Sequence, residues 1–235
     1  MEKIYTIPVN EAFEKSAEDK SCGCPFCTLY NQLEYNEIDA VLGAAMMEPD
    51  IRIETNKKGF CKEHFDIMFD FKNRLGLALI LESHFGENHS SAFPKGLSAL
   101  GGNGVKRLSE MSKSCYVCDK IEYHFSRMLD TAVLLYCEDI EFRKKFDAQP
   151  YFCLPHYTRM MEYAKLKMPK KVFSEFEKKA KAIEEGYYAE LNGDISWFCK
   201  KFDYRYEDEP WKNSKDAVER AIKFLRSDLH TMKKK

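Results

Sequence analysis

The sequence has no long hydrophobic run and no excess of either charge. Its longest apolar run, Leu75 to Leu81, is far shorter than the roughly 20 residues that a membrane-spanning helix needs. The first residues, Met1 to Tyr5, contain no apolar core of the signal-peptide type. Lysine and arginine total 37 against 38 acidic residues, so the formal net charge is -1. We therefore expect no membrane partner, and nucleic acid, which usually selects a basic protein, is not an expected ligand.

Familiar motifs of catalysis and nucleotide binding are also missing. The chain has no His-Glu-x-x-His, no Gly-x-Ser-x-Gly and no carboxylate cluster at ligand spacing. The glycine cluster at 101–104 lacks the Gly-Lys-Ser/Thr ending of a phosphate-binding loop, and no strand is predicted before it. The sequence therefore nominates no catalytic residue, and an enzyme is the less favoured hypothesis.

No stretch of useful length alternates apolar and polar residues with the period of a strand. Apolar residues recur instead at steps of three to five, which is typical of helices, and we predict an all-α fold. Two details of this prediction concern the ends. Pro8 favours an extended lead-in over residues 4–9, and the last helix is expected to bury the stripe Val218, Ala221, Ile222, Leu225 and Leu229.

Cysteine, by contrast, is frequent and arranged in a repeat. A CxxC motif (Cys24, Cys27) is followed after 33 residues by a CxxH motif (Cys61, His64). A second CxxC motif (Cys115, Cys118) is followed after 34 residues by a second CxxH motif (Cys153, His156). Three thiolates and one imidazole form a tetrahedral set that suits zinc and leaves no position for water. The sequence predicts two structural Zn²⁺ ions per chain.

The simplest pairing joins each CxxC motif to the CxxH motif that follows it. Each spacer is then a helical hairpin closed at its base by metal, and the fold becomes two pseudo-repeated helical units with a C-terminal extension. We place the first repeat at residues 1–100, the second at 101–169 and the helical, aromatic extension at 170–235, all packed as one compact domain.

Three other interpretations of the same residues stay open. In the first, the eight side chains are buried cysteines and histidines with their hydrogen bonds satisfied, and they bind no metal. In the second, they bind an iron–sulfur cluster, although such clusters are mostly held by four cysteines. The third interpretation is a thiol–disulfide couple at either CxxC motif, for which the expected βαβ context is absent.

Five further residues are weaker candidates. Cys22 lies two residues before Cys24 and is a spare thiol, a candidate to replace Cys24 as a ligand. Cys137 and Cys199 are expected to be small core residues, and His84 and His89 lie near a predicted linker at residues 86–104. Whether any of the five takes part in a site is left open by the sequence.

The chain resembles a bacterial family of unknown function with duplicated CxxC and CxxH motifs. The resemblance covers nearly the whole length and rests on both motif pairs and on three other segments: Tyr5-Thr6-Ile7-Pro8-Val9, Trp197-Phe198-Cys199-Lys200-Lys201-Phe202-Asp203-Tyr204-Arg205, and Glu209-Pro210-Trp211 with Ser214-Lys215-Asp216-Ala217. Some members carry a label as transporter substrate-binding proteins, which fits poorly with a chain that lacks an export signal and an α/β pattern. The resemblance implies a cytoplasmic role and brings no activity with it.

Together these observations favour a cytoplasmic, zinc-binding helical protein that acts as a non-catalytic interaction or regulatory module. A reducing compartment also agrees with cysteines at metal-ligand spacing. The sequence names neither a protein partner nor an oligomeric state. The alternatives are a redox- or metal-responsive thiol sensor and an enzyme with a pocket between the repeats.

Overall fold

A computed structural model describes residues 3–96 and 103–231. Within these ranges the chain forms eleven α-helices and no strand, so the predicted all-α class is confirmed. The helices are α1 Thr6–Glu18, α2 Pro25–Leu42, α3 Pro49–Lys58, α4 Lys62–Asp70, α5 Arg74–Ala92, α6 Asn103–Met111, α7 Tyr116–Glu138, α8 Ile140–Asp147, α9 Leu154–Lys167, α10 Lys170–Lys200 and α11 Ala217–Arg226. None of the described helices is long and apolar enough to cross a membrane.

The chain divides into two compact units that are discontinuous in sequence. Unit 1 contains residues 1–30 and 125–229, and unit 2 contains residues 31–124 and 230–235. Two of the three boundaries, at residues 30/31 and 124/125, fall inside long helices, α2 and α7. The division into 1–100, 101–169 and 170–235 stays a prediction, and its first boundary lies outside the described residues, as do residues 101 and 102 of the glycine cluster.

The N-terminal residues are helical, and the extended lead-in predicted over residues 4–9 is wrong. A 3₁₀ turn at Lys3–Tyr5 leads directly into α1, which begins at Thr6. Pro8 is the third residue of this helix. In the first turn a backbone N–H has no intrahelical acceptor, so proline costs no hydrogen bond there.

Two helices extend past their predicted ends: the sequence predicts a C-cap at Gly193, and the predicted linker begins at Gly86. Helix α10 passes through Gly193 and continues to Lys200, so the aromatic residues Trp197 and Phe198 belong to it. Glycine in a helix interior costs only about 0.5–1 kcal/mol, which the surrounding residues of a long helix offset. Similarly, α5 runs to Ala92 and occupies the start of the predicted linker.

Unit 1 is built around a cluster of phenylalanine rings. Phe13 on α1 lies 5.4 Å from Phe26 and 4.8 Å from Phe142, measured between ring centroids. Phe146 lies 5.1 Å from Phe152. All five rings are fully buried. Since Phe26 and Phe152 stand next to CxxC and CxxH residues, this core fixes the two segments that carry them.

Helix α11 buries a different face from the predicted one. Ala217 and Phe224 are buried, whereas Val218, Ile222 and Leu225 are exposed. The ring of Phe224 lies 5.2 Å from that of Tyr187 on α10, and one large aromatic side chain outweighs the smaller apolar residues in deciding which face packs.

Candidate metal centres

The eight predicted ligands gather into two clusters, but the motifs pair crosswise. Site A contains Cys24, Cys27, Cys153 and His156, and site B contains Cys61, His64, Cys115 and Cys118. In each cluster one ligand atom per residue lies within 4.8 Å of all the others. Each cluster has three cysteines and one histidine, as the sequence predicts. The pairing of each CxxC motif with the CxxH motif that follows it is wrong.

The crosswise pairing follows the course of the chain through α2. This helix of 18 residues begins in unit 1 and ends in unit 2, since the boundary falls at residues 30 and 31. The first CxxH motif and the second CxxC motif both lie in unit 2, where they meet. The motif spacing identified the eight residues that cluster, but either pairing satisfies it.

Site A lies at the N-termini of two helices in unit 1. Cys24 directly precedes α2, and its carbonyl oxygen accepts a hydrogen bond from the N–H of Cys27 at 3.1 Å. Cys153 is the N-cap residue of α9, which places His156 in the first turn. Backbone N–H groups at helix N-termini favour negative charge, so these positions suit thiolates.

The ligand atoms of site A are buried and close together. The Nδ1 atom of His156 lies 3.8 Å from the sulfur of Cys24, 3.5 Å from that of Cys27 and 3.1 Å from that of Cys153. The sulfur atoms of Cys27 and Cys153 are 3.6 Å apart. The imidazole of His156 packs on Phe125, with ring centroids 5.0 Å apart. All four side chains are shielded from solvent.

Site B repeats this arrangement in unit 2, but here the CxxH motif comes before the CxxC motif in the chain. Cys61 is the N-cap residue of α4, and Cys115 directly precedes α7. Two hydrogen bonds hold the segments together beside the ligands: the N–H of Tyr116 donates to the Gly59 carbonyl at 2.9 Å, and the Ser114 hydroxyl donates to the Lys58 carbonyl at 2.6 Å. Gly59 has φ 64°, which favours glycine.

Site B has the same ligand atoms as site A but is less enclosed. The Nδ1 atom of His64 lies 3.1 Å from the sulfur of Cys61, 3.3 Å from that of Cys115 and 3.4 Å from that of Cys118. The sulfurs of Cys61 and Cys118 are 3.9 Å apart. Cys118 is exposed and Cys61 is partly exposed, whereas Cys115 and His64 are buried. Solvent therefore reaches site B through two of its thiols.

These distances fit a tetrahedral zinc ion. Zn–S bonds of about 2.3 Å and Zn–N bonds of about 2.0–2.1 Å place two sulfurs about 3.8 Å apart, and a sulfur and a nitrogen about 3.5 Å apart. The S···S distances of 3.6 and 3.9 Å match the first value. The S···N distances, from 3.1 to 3.8 Å, lie around the second. All nine cysteines are free, and a disulfide requires sulfurs about 2.05 Å apart.

In site A the pKa of one thiol is lowered and the pKa values of the other two are raised. Hydrogen bonds from Cys24 and Cys27 hold the pKa of Cys153 far below its usual range. The hydrogen bond to Cys153 raises the pKa of Cys27 to about 12, and burial raises the pKa of Cys24 well above its ordinary value. Protons alone thus leave one thiolate in the site, because three adjacent negative charges repel one another. A dication would allow all three to ionise.

In site B, too, the pKa of one thiol is lowered and that of its neighbour is raised, and the pKa of the imidazole is raised as well. A hydrogen bond from Cys118 lowers the pKa of Cys115 to about 3, and the reciprocal interaction raises that of Cys118. Burial lowers the pKa of His64, but hydrogen bonds with Cys115 and Glu34 outweigh burial and raise it to about 10. A bound metal would replace that proton at Nδ1, since ligation requires the neutral ring.

Sequence analysis missed a carboxylate behind site B. The Nε2 atom of His64, on the side of the ring opposite the cysteines, lies 3.1 Å from Oε1 of Glu34, whose residue is 1 % exposed. His230 Nδ1 contacts the same oxygen at 2.5 Å. A carboxylate bonded to the second nitrogen of a ligating histidine fixes the ring and its tautomer. The sequence did hold a signal, since Glu34 stands four and seven residues before Ile38 and Val41 and thus shares a helix face with apolar residues.

The segment after α11 contacts both sites, each within its own unit. In unit 1 the Ser227 hydroxyl lies 3.1 Å from the sulfur of Cys153, and the N–H of Asp228 donates to the sulfur of Cys27 at 3.4 Å. In unit 2 His230 contacts Glu34, and the Thr231 hydroxyl accepts from the side-chain amide of Asn31 at 2.9 Å. We name residues 227–231 the C-terminal strap.

The five weaker candidates do not join a described Cys/His cluster. Cys22 is partly exposed and lines a cavity of about 560 Å³ that also reaches Cys24 and Cys27. Cys137 is partly buried, but Cys199 is exposed, so its expected place in the core is wrong. His84 and His89 lie on α5 and belong to none of the described groups of potential ligands.

Comparison with known proteins places the chain in a family but adds no activity. Neither the curated proteins nor the solved structures contain a match. The model of one family matches residues 1–232, a range that includes both metal-ligand clusters and the beginning and end of the chain's described part. The chain belongs to this family, DUF6062, a family of unknown function.

Proposed function

We propose that the protein is a zinc-binding helical module of the cytoplasm, with two structural Cys₃His sites and a non-catalytic role in interaction or regulation. The observation that carries the proposal is the agreement between the ligand-atom distances in both clusters and those of tetrahedral zinc. Three sulfurs and one nitrogen fill the four positions, which leaves none for an activated water.

Three further observations support this proposal. The ligand-bearing segments of each site lie far apart in sequence, and hydrogen bonds beside the ligands join them at site B, from Tyr116 to Gly59 and from Ser114 to Lys58. All nine cysteines are free thiols, which agrees with a reducing compartment. The exposed stripe Val218, Ile222 and Leu225 on α11 offers an apolar surface to a protein partner.

The equivalence of the two CxxC helices and the two CxxH helices supports an internal duplication. Helices α2 and α7 each follow a CxxC motif, and α4 and α9 each begin at the cysteine of a CxxH motif. In this proposal the duplicated halves exchange their CxxH motifs, so that each site contains one motif from each half.

Metal analysis and folding together test the structural role. Protein purified without added metal should carry about two zinc ions per chain by elemental analysis. Removal by a chelator should abolish most of the helical circular dichroism or the cooperative unfolding transition, and added Zn²⁺ should restore it, because a structural site contributes folding energy. A chain without zinc, or one that unfolds unchanged after removal of its metal, contradicts the proposal.

A thiol sensor is a second candidate, favoured by the exposure of site B. Cys61 and Cys118 are reached by solvent, and their sulfurs are 3.9 Å apart. In the reaction one thiolate attacks hydrogen peroxide to give a sulfenic acid and hydroxide. The second thiolate then attacks that sulfur to give a disulfide and a second hydroxide, so the pair loses two electrons and releases its metal.

The sensor predicts that one zinc ion leaves before the other. Equimolar peroxide should release about one zinc per chain, measured with a chromophoric chelator, and dithiothreitol should permit its return. A Cys199→Ser variant, which lacks an exposed thiol outside both sites, should behave like the parent. Release of both ions together, or release that a reductant does not reverse, eliminates the sensor but leaves the structural role intact.

A further inference from the structure

Unit 2 contains a cavity that is separate from the metal ligands. Its volume is about 540 Å³, and it lies among helices α3, α5 and α6. Its charged lining consists of Arg52, Lys57, Arg107 and Glu87, which gives three positive charges against one negative. The volume falls within the range typical of small-molecule sites.

Arg107 is held in place by neutral groups. Its Nε and Nη2 atoms donate to the side-chain oxygen of Asn88 at 3.2 and 2.6 Å, and Nη2 also donates to the Lys57 carbonyl at 2.9 Å. Asn88 is 6 % exposed and is itself fixed, since its amide donates to the Asn56 carbonyl at 2.7 Å. These acceptors orient the guanidinium on the cavity wall without neutralising its charge.

A buried acceptor on the same wall lacks a donor. Asn56 is 8 % exposed and lines the cavity. Its amide nitrogen donates to the Ser83 hydroxyl at 2.6 Å, whereas its Oδ1 atom is buried and has no hydrogen-bond partner. Buried polar atoms are nearly always paired, so an orphaned oxygen on a cavity wall indicates a missing donor.

We infer that this cavity binds a small organic oxyanion, a phosphate ester or a carboxylate, that also carries a hydroxyl group. Arg107, with Arg52 and Lys57 beside it, receives the oxyanion, since guanidinium groups pair with phosphate and carboxylate through two parallel hydrogen bonds. The hydroxyl of the ligand donates to Oδ1 of Asn56. The inference is independent of the metal sites.

Two probes with the same hydroxylated three-carbon skeleton separate the two sources of the oxyanion. Isothermal titration calorimetry on the full, metal-loaded chain should show one binding site for sn-glycerol 3-phosphate or for D-glycerate. Binding of only the first assigns a phosphate ester, and binding of only the second assigns a hydroxy acid. Binding of both assigns the oxyanion class as a whole. If neither probe binds, the inference is overturned.

Variants locate the binding in the cavity. Arg107→Gln should weaken binding at least tenfold, because it removes the oriented charge. Arg52→Gln, on α3, serves as a second test should the first variant fail to fold. The control is Arg74→Gln on the same helix bundle, since Arg74 lies outside the cavity and stacks on Phe69. Equal affinity in the parent, Arg52→Gln and folded Arg107→Gln proteins overturns the inference.

Discussion

Glu34 joins the imidazole of site B to the end of the chain. Its Oε1 atom contacts Nε2 of His64 and Nδ1 of His230, so one buried carboxylate serves two histidines. When His64 binds metal through Nδ1, its Nε2–H donates to Glu34 and the carboxylate increases the basicity of the ring. Glu34 is therefore expected to matter for metal affinity although it does not touch the ion.

Glu34→Gln should weaken zinc binding at site B about 10- to 100-fold and leave site A unchanged, as is typical for a partner of a ligating histidine. Competition with a chelator of known affinity measures both sites. Glu37→Gln, three residues further along α2, is the matched control. Equal loss at both sites would mean that the substitution acts through general stability and not through His64.

A second buried carboxylate makes stability depend on pH. Glu184 is 7 % exposed and accepts a hydrogen bond from the N–H of Phe152 at 2.7 Å. Burial raises its pKa from 4.5 to about 8, against the effect of that hydrogen bond. Because the folded pKa is the higher one, the fold favours the protonated carboxyl. The stability that this carboxyl contributes is complete below pH 4.5, where it is protonated in both the folded and the unfolded chain. That stability is lost as the pH rises through the folded pKa of about 8.

Glu184→Gln should therefore stabilise the metal-loaded protein increasingly between pH 6 and pH 8, by roughly 2–4 kcal/mol at the upper end. Denaturant unfolding at several pH values measures the difference. Glu185→Gln, the exposed neighbour, should show no such trend. A constant difference between parent and Glu184→Gln across this range would show that the carboxyl ionises normally in the folded state.

At this scale the sequence predicted which residues cluster but not the residues behind them. The eight predicted ligands stand in four-residue motifs, and a local spacing is visible without a fold. Glu34 and His230 are 196 positions apart, and only the folded chain brings them together. Glu34 was still detectable as an acidic residue on a buried helix stripe, whereas His230 carries no local signal.

Among the elements, the C-terminal strap contacts Cys153 and Cys27 of site A through Ser227 and Asp228, and Glu34 behind site B through His230. Ser227 and His230 both have positive φ, 75° and 62°. Such backbone is unfavourable for residues other than glycine and persists where the surroundings hold it. Here Ser227 contacts Cys153, a predicted ligand of site A, and His230 contacts Glu34, which lies behind His64 of site B. We therefore expect the contacts with Cys153 and Glu34 to hold the backbone of the strap in place.

Truncation after Arg226 should accelerate zinc release from both sites about tenfold, because it removes the N–H donor to Cys27 and the contact to Glu34. Stopped-flow transfer of zinc to a chelator measures the two rates. Truncation after Thr231 keeps the strap and is the control. Unchanged rates in the shorter protein would show that the strap rests on the sites without protecting them.

Element boundaries were predicted well where a local signal dominated and poorly where tertiary contacts did. Pro169 separates α9 from α10, and Gly59 is the C-cap of α3, whereas α2 ends at Leu42, seven residues before Pro49, which begins α3. Gly193, in contrast, lies within α10, since the packing of a long helix outweighs the preference of one residue. The buried face of α11 followed Phe224 and not the more regular stripe of smaller side chains.

For the whole molecule, the crosswise sites close loops of different size, one inside the other. Site B joins residues up to 57 positions apart, and site A joins residues up to 132 positions apart. Doubling a loop adds only about 0.6 kcal/mol to the entropy lost on closure, so the difference in length costs little. The all-α class followed from periodicity alone, but this nesting did not, because both pairings use the same motifs.

Double substitutions distinguish the pairings through metal content. Cys27→Ser with Cys153→Ser damages site A twice and should leave about one zinc ion per chain. Cys27→Ser with Cys61→Ser damages both sites and should leave none, because each substitution removes a ligand from a different ion. Elemental analysis of the purified proteins gives the result, and the reversed pattern would establish pairing within each half.

The nesting also sets the order in which ligands become available during translation. Cys24 and Cys27 emerge from the ribosome first, and the next thiol and imidazole to follow are those of Cys61 and His64. Cys153, which pairs with Cys24 and Cys27 at site A, comes 92 residues after Cys61. Synthesis of these residues takes about 5–20 s at typical elongation rates. A zinc ion captured by the nascent chain in that interval would join the wrong motifs, and the finished protein would have to exchange it.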